Sequence, residues 1–305
     1  MNATVAAIDC GTNSTRLLIA GPTGETLARE AVITRLGEGV DASGRLSEQG
    51  IERTLEALGR YRELMDANGA EIGMASATQA AREATNAEAF LGPAAKILGF
   101  RPQVLSGEEE GRLSFAGATA ALESQVGTCV VFDVGGGSTE LMVGEPGSPP
   151  RSVRSVPLGC VRLTERYLRE PVSFKALVEA SDEAEQLAEQ AVASAGAVGL
   201  GARVVGLAGT VTSLSAMEQR LEHYDPGRIH RSILTRAQVE RWVEVLSAQS
   251  VEERAAQPGL EPKRAPVILG GALAVAAMLR VLRAEEMLVS ESDILDGMVD
   301  RLRKA

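Results

Sequence analysis

Several residue types that anchor common folds and sites are scarce here. The 305 residues include two histidines, three cysteines, one Trp, three Tyr and five Phe. With so few aromatics, the core must be built mainly from Ala, Val, Leu and Ile. Cys10, Cys129 and Cys160 are too far apart for a zinc pattern or a disulfide framework, and a reduced, cytoplasmic compartment is expected. Cys10 lies beside Asp9, but both histidines are remote in sequence, which argues against an activated thiol. His223 and His230 lack metal-ligand spacing and read as surface residues. The N-terminus has no basic segment, and Asp9 breaks its apolar stretch, so no signal peptide is expected. The apolar run Ala265–Leu279 is too short to span a bilayer, so no membrane is expected as a partner. The formal net charge of −10 argues against nucleic acid as a partner. It also means that a polyanionic substrate would need a local basic patch or a bound cation.

What is present begins with Val130–Glu145, VVFDVGGGSTELMVGE. An apolar strand runs into Asp133. Gly135, Gly136, Gly137, Ser138 and Thr139 make a tight turn, Glu140 follows, and a second apolar strand resumes. Glycines let a phosphate approach the backbone N–H groups closely, and an aspartate at a strand end can hold a hard cation. Taken alone, the stretch could equally be an ordinary glycine-rich hairpin. A second copy lies at Val5–Gly21, VAAIDCGTNSTRLLIAG. Asp9 falls on Asp133, Gly11 on Gly135, Ser14 on Ser138 and Thr15 on Thr139, while Arg16 replaces Glu140. The spacing is too wide for a solenoid and suggests two similar α/β halves. That layout resembles the actin, sugar-kinase and chaperone ATPase superfamily, which implies an anion held between the halves.

Along the rest of the chain, Glu25–Thr34 reads as a third strand, and Ser47 caps a helix that stops at Asn68-Gly69. Ile72–Ala75 reads as a buried strand. Arg82 opens the following helix, either as a solvated arginine or as a ligand contact at a strand end. Ser106 and Glu109 have capping-box spacing. Acids in a first helical turn suit the macrodipole, which accounts for Glu108 and Glu109 and leaves Glu110 available to a ligand. A domain boundary is expected within Leu122–Gly127, giving domains 1–124 and 125–305, with the terminal helix 293–305 able to pack back on the first. Arg151, Arg154, Arg162, Arg166 and Arg169 form a basic stretch that reads either as a solvated face or as a phosphate track. Gly209-Thr210 follows a buried strand and opens a helix, a turn suited to an anion. Thr235 and Gln238 make another capping box. Val267–Leu282 reads as a turn at Gly270-Gly271 followed by a helix.

Seven segments together resemble the exopolyphosphatase / guanosine pentaphosphate phosphohydrolase (Ppx/GppA) family. They are AIDCGTNSTRLLIA at 7–20, ATQAAREATN at 77–86, LSGEEEGRLSF at 105–115, VFDVGGGSTELMVGE at 131–145, VPLGCVRLTERY at 156–167, GLAGTVTSL at 206–214 and VSESDILDGMV at 289–299. The resemblance implies an α/β fold of two actin-like domains with an interdomain active-site cleft. It implies Mg²⁺-dependent hydrolysis of the terminal phosphoanhydride of inorganic polyphosphate or of guanosine pentaphosphate, by a homodimer. On this reading Glu110 is the general base, and Asp133 and Glu140 are the essential acids of the second loop. Asp9, Asp133 and Glu140 would serve Mg²⁺ or another divalent cation. Gly11, Asn13, Ser14, Arg16 and Arg82 would hold phosphate from the first domain. Gly135 to Thr139, with Gly209 and Thr210, would do so from the second. Two departures stand out. The sequence ends where longer members of the family continue into a helical C-terminal region, and Leu295-Asp296-Gly297 stands where many members have an Arg-Glu-Gly. Two alternatives stay open. The first is an ATP-dependent kinase or ATPase, suggested by Leu269-Gly270-Gly271. The second is a non-catalytic alarmone sensor.

Overall fold

The computed structural model describes residues 3–120, 122, 127–196 and 201–304. They form two compact units, Met1–Gly117 with Ile294–Ala305, and Ala118–Asp293. The expected boundary at 124/125 lies outside the described residues.

The first unit begins with strands β1 (Val5–Cys10), β2 (Ser14–Ala20) and β3 (Thr26–Ile33), then helices α1 (Val40–Ser43) and α2 (Glu48–Ala67). Next come β4 (Ile72–Ala77), α3 (Gln79–Glu83), α4 (Glu88–Leu98), β5 (Gln103–Val104) and α5 (Gly107–Thr119). The sheet order is β3-β2-β1-β4-β5, with β1, β4 and β5 parallel and the hairpin strands antiparallel. Strand β1 is buried throughout, so it reads as a near-continuous apolar run broken only by Asp9 near its end. Alternation sorts its side chains. Ala6, Ile8 and Cys10 face a core shared with Leu58, Met65, Phe90 and Leu98 of α2 and α4. Val5 and Ala7 face a second core with Leu18, Met74, Leu113 and Met298.

The second unit contains β6 (Cys129–Val134), β7 (Thr139–Gly144), β8 (Ser152–Val156), α6 (Cys160–Arg166), α7 (Phe174–Ala195) and β9 (Arg203–Leu207). It continues through α8 (Ala208–Glu218), α9 (Pro226–Ile229), β10 (Ile233–Thr235), α10 (Arg236–Ser247), α11 (Val251–Ala255), α12 (Ile268–Val281) and β11 (Glu286–Val289). Helix α13 (Ile294–Lys304) belongs to the first unit and packs on β1 and β2. The second sheet runs β8-β7-β6-β9-β11-β10, the first unit's order with one more strand at the far edge. This duplicated, mixed-sheet topology is the α/β architecture expected of an actin-like chain. Small residues set the packing. Ala180, Ala184, Ala188 and Ala191 form a buried i, i+4 stripe on α7 that lies against α12.

Two expectations change. Gly270 and Gly271 are no turn but lie inside α12. A Cβ on Gly270 would come within 2.7 Å of the Cys160 carbonyl, and one on Gly271 within 2.5 Å of Thr210 Oγ1. Glycine is needed there for close helix contact, not for chain reversal. Of the basic stretch, Arg154 lies on β8 and Arg162 and Arg166 lie on α6. His230 is half-buried, and its Nδ1 accepts from the Glu291 N–H at 3.2 Å.

Candidate active site

Both glycine turns are built alike. In the first unit the Gly11 N–H donates to the Ser14 carbonyl at 3.0 Å. In the second the Gly135 N–H donates to Ser138 at 2.9 Å. Most carbonyls of the two turns are consumed inside their own units. Thr12 accepts from Gly37, and Asn13 accepts from Thr34 and Arg35. Gly135 accepts from Cys160, Gly136 from Val161, and Gly137 from Arg162 Nε at 3.1 Å. Helix α6 sits so close to the second turn that a Cβ on Gly159 would lie 2.3 Å from the Gly136 carbonyl. Among the described residues, no acceptor is recorded for the N–H groups of Thr12 and Asn13, or of Gly136 and Gly137. Each turn therefore presents donors while most of its acceptors are already satisfied, a cradle suited to anions.

The first unit gathers its remaining candidates at the C-terminal ends of its parallel strands. Asp9 lies near the end of β1, Arg82 follows β4, and Glu110 follows β5, the edge where open α/β sheets bind ligands. Glu108 pairs with Arg112 at 2.7 Å, and Glu109 accepts from the Ser106 N–H and hydroxyl at 2.9 and 2.8 Å. The first-turn acids are thus divided as the cap logic requires. Glu110 lies 3.5 Å from Arg82 Nη1, with its side chain 13% exposed, and Arg82 also donates to the Leu105 carbonyl. Arg82 is therefore not a solvated helix arginine. Asn13 is 6% exposed, and neither atom of its side-chain amide has a partner among the described residues. Leaving such groups unpaired costs about 1–3 kcal/mol each, a cost that a ligand would recover.

In the second unit Asp133 and Glu140 face each other across β6 and β7. Partners in antiparallel register share one face with their Cβ atoms about 5 Å apart. Both are buried, and Ser155 Oγ donates to Glu140 Oε1 at 2.7 Å. Two carboxylates side by side fit a hard cation, since Mg²⁺ commonly takes one or two protein carboxylates and draws its other ligands from water and phosphate. Among the described residues no group of three or more His, Cys, Asp or Glu forms a self-sufficient metal site.

Gly209 and Thr210 open α8 directly after β9, which pairs in parallel with β6. Sequence reading missed the residue above them. The Arg264 guanidinium lies on Gly209, within 2.1 Å of where a Cβ would stand, and its side chain is 16% exposed. Its separation from Gly209 along the chain left no local signal. Of the basic stretch, Arg162 reaches the glycine turn, whereas Arg166 pairs with Glu183 at 2.7 Å and Arg154 binds the Ser194 carbonyl at 2.7 Å. The stretch is not one continuous phosphate track. All three cysteines are buried, which makes them poorly placed as nucleophiles. Burial, and then the Asp9 charge, pushes the Cys10 thiol well up, and burial pushes Cys160 up to about 11.

The model of the Ppx/GppA phosphatase family matches residues 20–304. The chain belongs to the Ppx/GppA family. It is 41% identical to Exopolyphosphatase 2 of Mycobacterium tuberculosis, over 96% of this chain and 97% of that one. Its fold is similar to the crystal structure of an exopolyphosphatase-like protein, with TM-score 0.90, 30% identity and 99% of both chains covered. It is also similar to the Aquifex aeolicus Ppx/GppA member, with TM-score 0.80, 32% identity and coverage of 99% and 98%. As a Ppx/GppA member the chain is a phosphate-releasing hydrolase. The glycine pair that suggested a kinase is packed inside α12 against Cys160 and Thr210.

Proposed function

We propose that the chain is a Mg²⁺-dependent exopolyphosphatase that removes terminal orthophosphate from inorganic polyphosphate, with guanosine pentaphosphate as a second substrate. The observation that carries the proposal is the pair of turns whose carbonyls are mostly consumed and whose Thr12, Asn13, Gly136 and Gly137 N–H groups remain for an anion. The kinship with Exopolyphosphatase 2 of Mycobacterium tuberculosis supports polyphosphate as the substrate. In this proposal Gly11, Asn13, Ser14 and Arg16 bind phosphate from the first unit. Gly135 to Thr139, with Gly209, Thr210 and Arg264, are the phosphate ligands of the second unit. Glu110, oriented by Arg82, takes a proton from the attacking water. The new P–O bond forms as the bond to the leaving phosphate oxygen breaks, and the shortened chain departs as an anion. Such transfer depends on positioning and charge neutralisation more than on covalent catalysis. Asp133 and Glu140 would hold Mg²⁺, which when bound supplies Lewis-acid neutralisation of phosphoryl charge. A cytoplasmic homodimer belongs to the same proposal. A reducing compartment agrees with three free, buried thiols, and light scattering tests the dimer.

The test is phosphate release from short polyphosphate, long polyphosphate and guanosine pentaphosphate, with Mg²⁺ or EDTA, for wild type and Glu110→Gln. Mg²⁺-dependent release that collapses in Glu110→Gln is expected. A folded wild type that releases phosphate from none of the three would overturn the proposal.

A further inference from the structure

Asp9 is the first unit's counterpart of Asp133, and family resemblance places it with the metal ligands. Its surroundings say otherwise. Its side chain is 4% exposed, and both oxygens are engaged: Oδ2 accepts from Arg16 Nη2 at 2.6 Å, and Oδ1 accepts from Ser76 Oγ at 2.9 Å. Arg16 stands directly across β2 from Asp9, and Ser76 stands beside it on β4, so the sheet register builds the cluster. Ser76 is fully buried between Ala75 and Ala77. A buried hydroxyl in an apolar strand is tolerated when it is hydrogen-bonded, and here Asp9 is the close acceptor. Met298 of α13 closes the other side, its sulfur 3.7 Å from Ser76 Oγ. A divalent cation on this carboxylate would sit against the guanidinium that already neutralises it. Asp9 therefore does not fit as a metal ligand.

We propose that Asp9, backed by Ser76, is a positioning residue for Arg16. A guanidinium is a rigid planar fork of five donors, so fixing one edge fixes where the others point. Asp9 sets that plane, and Ser76 sets the rotamer of Asp9. The proposal deepens the phosphohydrolase reading and rests on it for what Arg16 binds. It assigns cation binding to Asp133 and Glu140 without Asp9.

Binding and turnover are measured separately for wild type, Asp9→Asn, Ser76→Ala, Arg16→Ala, the Asp9→Asn/Arg16→Ala double variant and Asp133→Asn. Mn²⁺ binding by electron paramagnetic resonance reads the cation site with no turnover. Calorimetry with tripolyphosphate in EDTA reads the anion site with no metal. Asp9→Asn should leave Mn²⁺ affinity within about twofold and weaken tripolyphosphate binding. Where turnover is measurable, it should cut kcat by roughly 10²-fold, the scale of a misplaced catalytic contact. Ser76→Ala should do the same about tenfold less severely. The losses from Asp9→Asn and Arg16→Ala should fail to multiply, since the two act as one unit. Asp133→Asn should weaken Mn²⁺ binding about tenfold or more. If Asp9→Asn weakens Mn²⁺ binding as much as Asp133→Asn does, the proposal is overturned. It is also overturned if Ser76→Ala and Asp9→Asn leave tripolyphosphate affinity at wild-type values. Both binding readouts stand if phosphate release is absent, so failure of the hydrolase reading is told apart from failure of this one.

Discussion

The hairpins β1–β2 and β6–β7 share a turn, a register and a place in their sheets, yet they differ at one decisive position. Arg16 faces Asp9 at 2.6 Å in the first, whereas Glu140 faces Asp133 in the second. One copy neutralises its aspartate from within. The other sets two buried carboxylates side by side, an arrangement suited to a cation. On the proposed reading, the repeated hairpin offers the same cradle twice, and one side chain on the second strand divides the labour between arginine and metal.

The largest expected effect concerns the group that neither hairpin carries. If the hairpins bind and neutralise while Glu110 does the proton transfer, Glu110→Gln should lower kcat by about 10²–10⁴-fold. Single-turnover phosphate release should show the loss with little change in substrate affinity. A comparable loss of affinity would instead make Glu110 a third binding acid and blur the contrast.

Gly297→Ala probes how the first unit holds its base. A Cβ there would lie 2.1 Å from the Leu113 carbonyl of α5, the helix whose first turn carries Glu110. Asp296, its neighbour, pairs with Arg29 at 2.8 Å, so Leu295-Asp296-Gly297 clamps α13 to both β3 and α5. Overpacking of this kind costs about 1–3 kcal/mol. A lowered Tm with reduced kcat is expected, while Gly59→Ala, in open space on α2, should be neutral or stabilising.

The smallest effect tests the likeness itself. A Cβ on Gly11 would approach the Ser14 carbonyl to 3.0 Å, and one on Gly135 would approach Ser138 to 3.2 Å. Alanine at either should cost a similar amount, about 1 kcal/mol by the same overpacking logic. Denaturant melts giving unequal costs would show that the two turns differ in more than their charges.

Much of this was legible in the chain because the signals are local. The hairpins announce themselves by Asp-x-Gly between apolar runs. The capping boxes Ser106–Glu109 and Thr235–Gln238 form as their spacing indicates, and Glu110 is singled out because its two neighbours have other partners. What stayed hidden depends on contacts distant in sequence. Ser76 gains its role from lying beside Asp9 in a parallel sheet, and Arg264 from folding back over Gly209. Gly270-Gly271 looked like a chain reversal because close helix packing and a turn call for the same residue. Strands β8 and β10 are short and owe their form to their sheet neighbours.

The central claim is that the residue opposite the aspartate decides between a guanidinium site and a cation site. The direct measurement is the Glu140→Arg protein, which rebuilds the second hairpin in the image of the first. Its Mn²⁺ binding and Mg²⁺-activated phosphate release are followed, with circular dichroism confirming the fold. The account predicts a folded protein that has lost Mn²⁺ binding and falls by about 10²-fold or more in turnover, since the metal's neutralisation is worth several kcal/mol. Mn²⁺ binding and Mg²⁺-activated release near wild-type values would contradict it.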